Sequence, residues 1–352
     1  MNLDEILSKG VSMGASDVHF TVGLAPMTRQ VGNLLPLPDY PRLSPIDTKD
    51  LLLGILNEDQ KVKLVSKGEI DLSYSIAGIG RFRVNIYHQR GTIAGAFRTI
   101  PTEIRNLDQL GIPRVVGTVA DKQRGLYLVT GPTGSGKSTT LAAIIDMINT
   151  SRPCHIITLE DPIEYLHKHN KAMVNQREIG SDSENFANAL RAALREDPDV
   201  ILVGEMRDPE TTSIAVTAAE TGHLVLATLH TVDTVQTIDR IIDQFPAAQQ
   251  GQVRIQLAGV LIGVMSQQLM PNKDNSGRVV AVEVMMAKPA ERNIIRELKT
   301  HQIYSVIHTG AKYGMQSMDS SLRDLFLTRK ISKEEAISRA IDPEELRRMI
   351  GG

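Results

Sequence analysis

Residues 126–145 read LYLVTGPTGSGKSTTLAAII. An apolar run stops at a glycine-rich turn, and a lysine and two hydroxyls open a second apolar segment with helical spacing. Within it Gly131, Pro132, Thr133, Gly134, Ser135, Gly136, Lys137, Ser138 and Thr139 fit G-x-x-x-x-G-K-[ST]. The context is the one that gives this motif meaning, a buried strand before it and a helix after it. Glycines let successive backbone N–H groups converge on phosphate oxygens. The start of the helix adds the positive end of its dipole. Lys137 is placed to put a point charge on the β and γ phosphates, and Ser138 to offer its hydroxyl to Mg²⁺. The stretch therefore predicts a nucleoside triphosphate site on an α/β scaffold. NKDN at 272–275 fails as a guanine-reading N-K-x-D because its fourth residue is Asn275. ATP is favoured by elimination.

Downstream of the turn, apolar runs recur at CHIITLE, DVILVGE and HLVLATLH, as expected of parallel strands buried on both faces. Helix-like segments alternate with them, at SENFANALRAALRE, PETTSIAVTAAE and TVQTIDRIIDQF. Ser181 with Glu184 predicts a capping box for the first of these, and Ser332 with Glu335 another near the C-terminus. The pattern predicts a three-layer α/β domain over 118–289, followed by a charged helical region over 290–352. Residues 1–100 read differently. EIDLSYSI, GRFRVNIYHQ and GTIAGAFRTI alternate like strands at hairpin spacing, which predicts a smaller α/β domain with an antiparallel sheet. Residues 101–117, with prolines, glycines and polar residues, read as a linker.

In an open α/β sheet, chemistry gathers at the carboxyl ends of the strands. Three of the predicted strands end in polar residues there. ITLEDPIEY offers Glu160, Asp161 and Glu164. A water attacking a γ-phosphate needs a carboxylate to orient it and take its proton, and Glu164 is the candidate for that base. VGEMRD puts Glu205 where Mg²⁺ could be held through one of its waters. TGHLVLATLHT carries His223 and His230 at the two ends of one strand. His230, at the carboxyl end, is a candidate γ-phosphate contact. The two rings are aimed apart, so no metal site is read there. His167 and His169 read as loop surface, and the single cysteine, Cys154, as a small core residue.

Composition excludes other classes. The formal net charge of the 352-residue chain is −2, so no general basic field marks a nucleic-acid binder. Aromatics are 4% of residues and Trp is absent, which argues against a single-strand surface built on stacking. One cysteine can form neither an internal disulfide nor a tetracysteine zinc site. MNLDEILSKG lacks the apolar run of a secretory signal, and LAGVLIGVM at 257–265 is too short to span a bilayer. The expectation is a cytoplasmic protein without membrane insertion.

Taken together, GPTGSGKST, ITLEDPIEY, VGEMRD and TGHLVLATLHT resemble the Walker A, Asp box, Walker B and His box of the secretion-ATPase superfamily of P-loop NTPases. GASDVHFTVG near the N-terminus also resembles its pilus members. The likeness runs over nearly the whole chain. Within the superfamily the chain most resembles the type IV pilus retraction ATPases. The chain is short, so the extra N-terminal domain of extension and secretion relatives is not expected, and their zinc cysteines are missing from this sequence. AERNIIRE at 290–297 resembles the AIRNLIRE signature of retraction ATPases, with Glu291 in place of Ile and Ile294 in place of Leu.

The resemblance implies a RecA-like core, a PAS-like N-terminal domain and a homohexameric ring. It implies ATP and Mg²⁺ as cofactors, and an inner-membrane pilus platform protein as partner at the cytoplasmic face of that membrane. It also implies that arginines of the first domain reach the nucleotide. Arg81 and Arg83 share one face of a strand and Arg98 lies on the next. Three rivals stay open: another motor of the superfamily, a module that uses ATP only as a switch, and a nucleic-acid translocase. The full carboxylate set argues against the second, and the charge and aromatic content against the third.

Overall fold

The computed structural model describes residues 1–30, 32–101, 103–274 and 277–351. Asn275, on which the guanine comparison turned, lies outside them, as does Thr102 of the predicted linker. Two compact units form: residues 1–103 with 164–166, and residues 104–163 with 167–352.

The first unit is built on an antiparallel six-stranded sheet in the order β3-β2-β1-β6-β5-β4. Its strands are β1 (Asp17–Phe20), β2 (Met27–Gln30), β3 (Asn33–Pro36), β4 (Glu69–Ile76), β5 (Gly80–Gln89) and β6 (Thr92–Ile100). Alternation decides its faces. Phe82, Val84 and Ile86 of β5 are buried together with Phe97 of β6, Val18 and Phe20 of β1 and Leu52 of the helix Pro45–Leu53. The Phe20 and Phe97 rings meet edge to face with centroids 5.2 Å apart. Each fully buried side chain of this kind contributes roughly 1.5–3 kcal/mol.

The second unit carries a seven-stranded sheet in the order β13-β12-β7-β11-β10-β8-β9. Its strands are β7 (Gly125–Thr130), β8 (His155–Glu160), β9 (Met173–Glu178), β10 (Val200–Val203), β11 (Leu224–Leu229), β12 (Leu261–Pro271) and β13 (Arg278–Met286). All neighbours run parallel except β12 with β13. Every residue of β7, β10 and β11 is buried, as a sheet covered on both faces requires. The fold is therefore mixed α/β, with a RecA-like P-loop unit, a smaller N-terminal α/β unit and a helical C-terminal region.

Several local expectations change. The helix within SENFANALRAALRE begins at Phe186 with Asn185 as its cap, which accepts from the Asn188 N–H, so Ser181 and Glu184 form no capping box. Asn185 immediately precedes the apolar periodicity, whereas Ser181 stands four residues too early. Ser332 does cap its helix, but Glu335 turns to Arg339 (3.0 Å) instead of back to the cap. The stretch read as a linker forms short helices at Leu107–Leu110 and Arg114–Gly117. Leu107, Ile112 and Val116, spaced among its prolines and glycines, are buried in the core of the second unit. LAGVLIGVM is where the helix Ala247–Val260 turns into β12, and among the described residues no helix is long and apolar enough to cross a membrane. Cys154 is half-buried against the same core as Val116. His167 is half-buried rather than surface, and burial pushes its pKa down to about 4.

Candidate nucleotide site

The order of strands fixes the site. β11 lies between β7, which leads into the glycine turn, and β10, which leads into Glu205. The carboxyl ends of β7, β11, β10 and β8 thus stand side by side and present the turn, His230, Glu205 and Glu160.

The turn joins β7 to the helix Lys137–Ser151, whose N-cap is Gly136 in the left-handed region. Gly131 and Gly134 also have positive φ, a conformation that glycine adopts without strain. Ser138 and Thr139 fall in the first turn of the helix and are partly exposed. Pro132, Thr133 and Gly134 form the exposed crest, and Ser135 is buried beneath it. The Lys137 ammonium folds back to the carbonyls of Gly131 (2.8 Å) and Pro132 (3.2 Å), so its charge sits over the turn. β12 supports the base of this arrangement, with Ser266 Oγ 2.8 Å from Thr130 Oγ1.

Glu205 is held by two basic side chains. Arg207 Nε donates to Oε2 at 2.8 Å, and His230 Nε2 lies 3.2 Å from Oε1. Burial by itself would raise the Glu205 pKa. The Arg207 hydrogen bond and the charges of His230 and Arg207 outweigh it, and the carboxyl lies below its ordinary range. The backbone beneath is fixed as well: Gly204 N–H donates to the Leu159 carbonyl (2.7 Å) and Met206 N–H to that of Thr228 (3.1 Å). The Thr228 hydroxyl donates to the Gly204 carbonyl. His223, at the other end of β11, is bound instead to the Ala218 carbonyl (2.9 Å).

Glu160 accepts from Thr158 Oγ1 (2.7 Å) and Gln176 Nε2 (3.1 Å). Glu164 is exposed, in a short segment anchored on both sides by β9. Ile163 N–H donates to Glu178 Oε2 (3.1 Å), and His167 N–H to Gln176 Oε1 (2.8 Å). The first-unit arginines lie on the sheet face opposite Phe82 and Val84. Arg83 and Arg98 are direct cross-strand partners, and Asp17 pairs with Arg98 on its other side. Arg98 Nε donates to Asp17 Oδ1 at 2.9 Å, while its side chain stays 71% exposed. Arg83 is exposed and Arg81 partly so.

Arg207, Gln176, Glu178 and Ser266 were not singled out from sequence. Arg207 was visible inside VGEMRD but had no geometric reason to be chosen. Ser266 and Gln267 carried a signal, as two of three polar residues inside an apolar run, and the structure buries both. Glu291, which departs from the retraction signature, has a local use: its carboxylate accepts the Lys288 N–H (2.9 Å) at the start of the helix Pro289–Arg296. The next residue, Arg292, ties that helix to the carbonyls of Gly259 (2.8 Å) and Leu261 (3.0 Å).

The chain resembles known proteins over nearly its full length. The family model described as Type II/IV secretion system protein matches residues 98–337. The type IV pilus retractation ATPase PilT of Pseudomonas aeruginosa is 47% identical over 344 residues, covering 98% of this chain and 99% of that one. A twitching motility protein of Neisseria gonorrhoeae is 47% identical over 91% of this chain and 86% of its own. A crystal structure of the pilus retraction motor PilT with bound ADP superposes with a TM-score of 0.92, at 48% identity and 99% coverage of both chains. The ATPase DotB of Legionella pneumophila gives a TM-score of 0.82 at 32% identity, covering 95% of this chain and 93% of its own. The chain therefore belongs to the type II/IV secretion system protein family, within the secretion-ATPase superfamily of P-loop NTPases.

Proposed function

We propose that the protein is a homohexameric ATP-hydrolysing motor that drives type IV pilus retraction. It works at the cytoplasmic face of the inner membrane through a platform protein of the pilus machine. The observation that carries this reading is the near full-length likeness to PilT at 47% identity, together with the strand-end constellation. Head-to-tail copies of one chain close into a ring when their rotation closes, and the hexamer is a ring of this kind.

In this reading residues 131–139 hold the phosphates, and Lys137 neutralises the β and γ groups. Ser138 and Glu205 fit Mg²⁺, the first as a partly exposed hydroxyl beside the turn, the second as a carboxylate kept ionised by its neighbours and acting through water. Mg²⁺, when bound, would offset charge on the phosphate oxygens. Glu164 takes the proton of the attacking water. His230, positioned by Glu205, contacts the γ-phosphate. Arg81, Arg83 and Arg98 add positive charge as it is transferred. The domain assignment in this reading is 1–100, 101–117, 118–289 and 290–352, with the last region offering a charged surface to the platform protein.

The test is a pilus count on cells whose chromosomal copy carries Lys137→Ala. Excess surface pili with lost twitching is the expected result. Bald cells would make the protein an extension motor, and unchanged pili would place it in another machine.

A further inference from the structure

We propose that Gln267 is the positioning residue of the phosphate-binding turn, holding the Ser135–Gly136 peptide so that the Gly136 N–H faces the nucleotide. This rests on reading residues 131–139 as the phosphate site. Gln267 sits on β12, 1% exposed, and belongs to no sequence motif of the turn. Its Nε2 donates to the Ser135 carbonyl at 2.6 Å. Its Oε1 accepts from Thr140 Oγ1 at 3.1 Å, in the first turns of the helix that follows. Thr140 is itself buried, and its hydroxyl fixes which end of the amide faces the turn. The amide is therefore satisfied on both sides and held in one orientation.

The consequence follows from peptide planarity. In a trans peptide the carbonyl and the following N–H point in opposite directions. Fastening the Ser135 carbonyl outward onto Gln267 aims the Gly136 N–H inward, where the turn gathers its donors. The two outer glycines of the motif are shaped by the same residue. A Cβ on Gly131 would lie 2.3 Å from the Gln267 carbonyl oxygen, and one on Gly136 would lie 3.1 Å from Gln267 Nε2. Gln267 thus meets the turn at its beginning, its middle and its end.

The test is binding of a fluorescent ADP to the full chain, with wild type, Gln267→Leu, Gln267→Glu, Thr140→Val and Lys137→Ala measured side by side. Gln267→Leu leaves a buried carbonyl without its donor and is expected to weaken ADP by roughly ten- to a hundredfold. Thr140→Val, which frees the amide to turn, is expected to do the same more mildly. Gln267→Glu carries the diagnostic readout. At pH 8 its carboxylate faces the Ser135 carbonyl and binding is weak. On acidification to pH 6 a protonated carboxyl, favoured by burial, again donates to that carbonyl, and the deficit against wild type shrinks. A folded Gln267→Leu that binds ADP like wild type overturns the proposal. So does a deficit in Gln267→Glu that is equal at both pH values and tracks only a fall in melting temperature, since that is a packing role. If Lys137→Ala too binds ADP like wild type, the phosphate site itself is misplaced and both readings fall. A loss in Lys137→Ala alone overturns only the role of Gln267.

Discussion

The two sheets handle charge in opposite ways. In the first unit an antiparallel sheet buries one face, so Phe82 and Val84 alternate with Arg81 and Arg83 along a single strand. Charge can stand in the middle of such a strand because every second side chain points away from the core. In the second unit β7, β10 and β11 are buried along their whole length, and ionic groups are confined to where the strands end. Burying an ionised side chain mid-strand there would cost far more than packing returns. A doubly covered sheet thus concentrates its chemistry at one edge, and a singly covered sheet spreads its charge over a face.

The hardest blow to this contrast would come at the strand ends. Lys137→Ala is expected to abolish ATP hydrolysis in steady-state assays, and normal turnover would remove the turn from the chemistry. Glu164→Gln and Glu205→Gln are expected to keep ATP binding while turnover falls by roughly 10²–10⁴-fold. Unimpaired hydrolysis by Glu164→Gln would show that another group accepts the proton.

The two faces of β5 can be set against each other directly. Phe82→Ala is expected to destabilise the first unit by about 3–5 kcal/mol in chemical denaturation. Its neighbour Arg83→Ala should leave stability within about 0.5 kcal/mol and lower the ATPase rate. The reverse pattern would mean that the arginine face is structural.

The effect furthest from the site concerns Glu283, an exception to the rule of the second sheet because it is a buried carboxyl inside β13. Burial pushes its pKa up to about 7, against the Thr234 N–H that donates to it (2.8 Å), while Asp233 and Asp319 add to the upward push. The folded state then binds more protons than the unfolded one between about pH 4.5 and 7. Stability contributed by this group falls as pH rises through that window, by on the order of a few kcal/mol. In thermal melts across the window Glu283→Gln should lose that slope, and an unchanged slope would assign it to other groups.

Much of the second unit was legible because its signals are local. An apolar run followed by Glu205 or His230 reports both a buried strand and the polar residue at its carboxyl end. The antiparallel partners β12 and β13 were missed, since LAGVLIGVM mixes the end of a helix with the start of a strand and has no single period. Arg207 was unreadable for a different reason: its value lies in a 2.8 Å contact with Glu205 that spacing cannot show. The stretch 101–117 read as a linker because its prolines and glycines outweighed Leu107, Ile112 and Val116, whose burial depends on distant partners.

By itself the sequence determined that a strand, a glycine turn and a helix would follow one another, because those preferences belong to neighbouring residues. It also determined the alternation that separates Arg81 and Arg83 from the core. Only the tertiary structure decided what holds the turn in shape. Gly131 and Gly136 press against Gln267, a residue more than a hundred positions away, brought there by the pairing of β12 with β7. Backbone pairing between strands distant in the chain depends on the whole sheet closing around one core, and no local pattern records it.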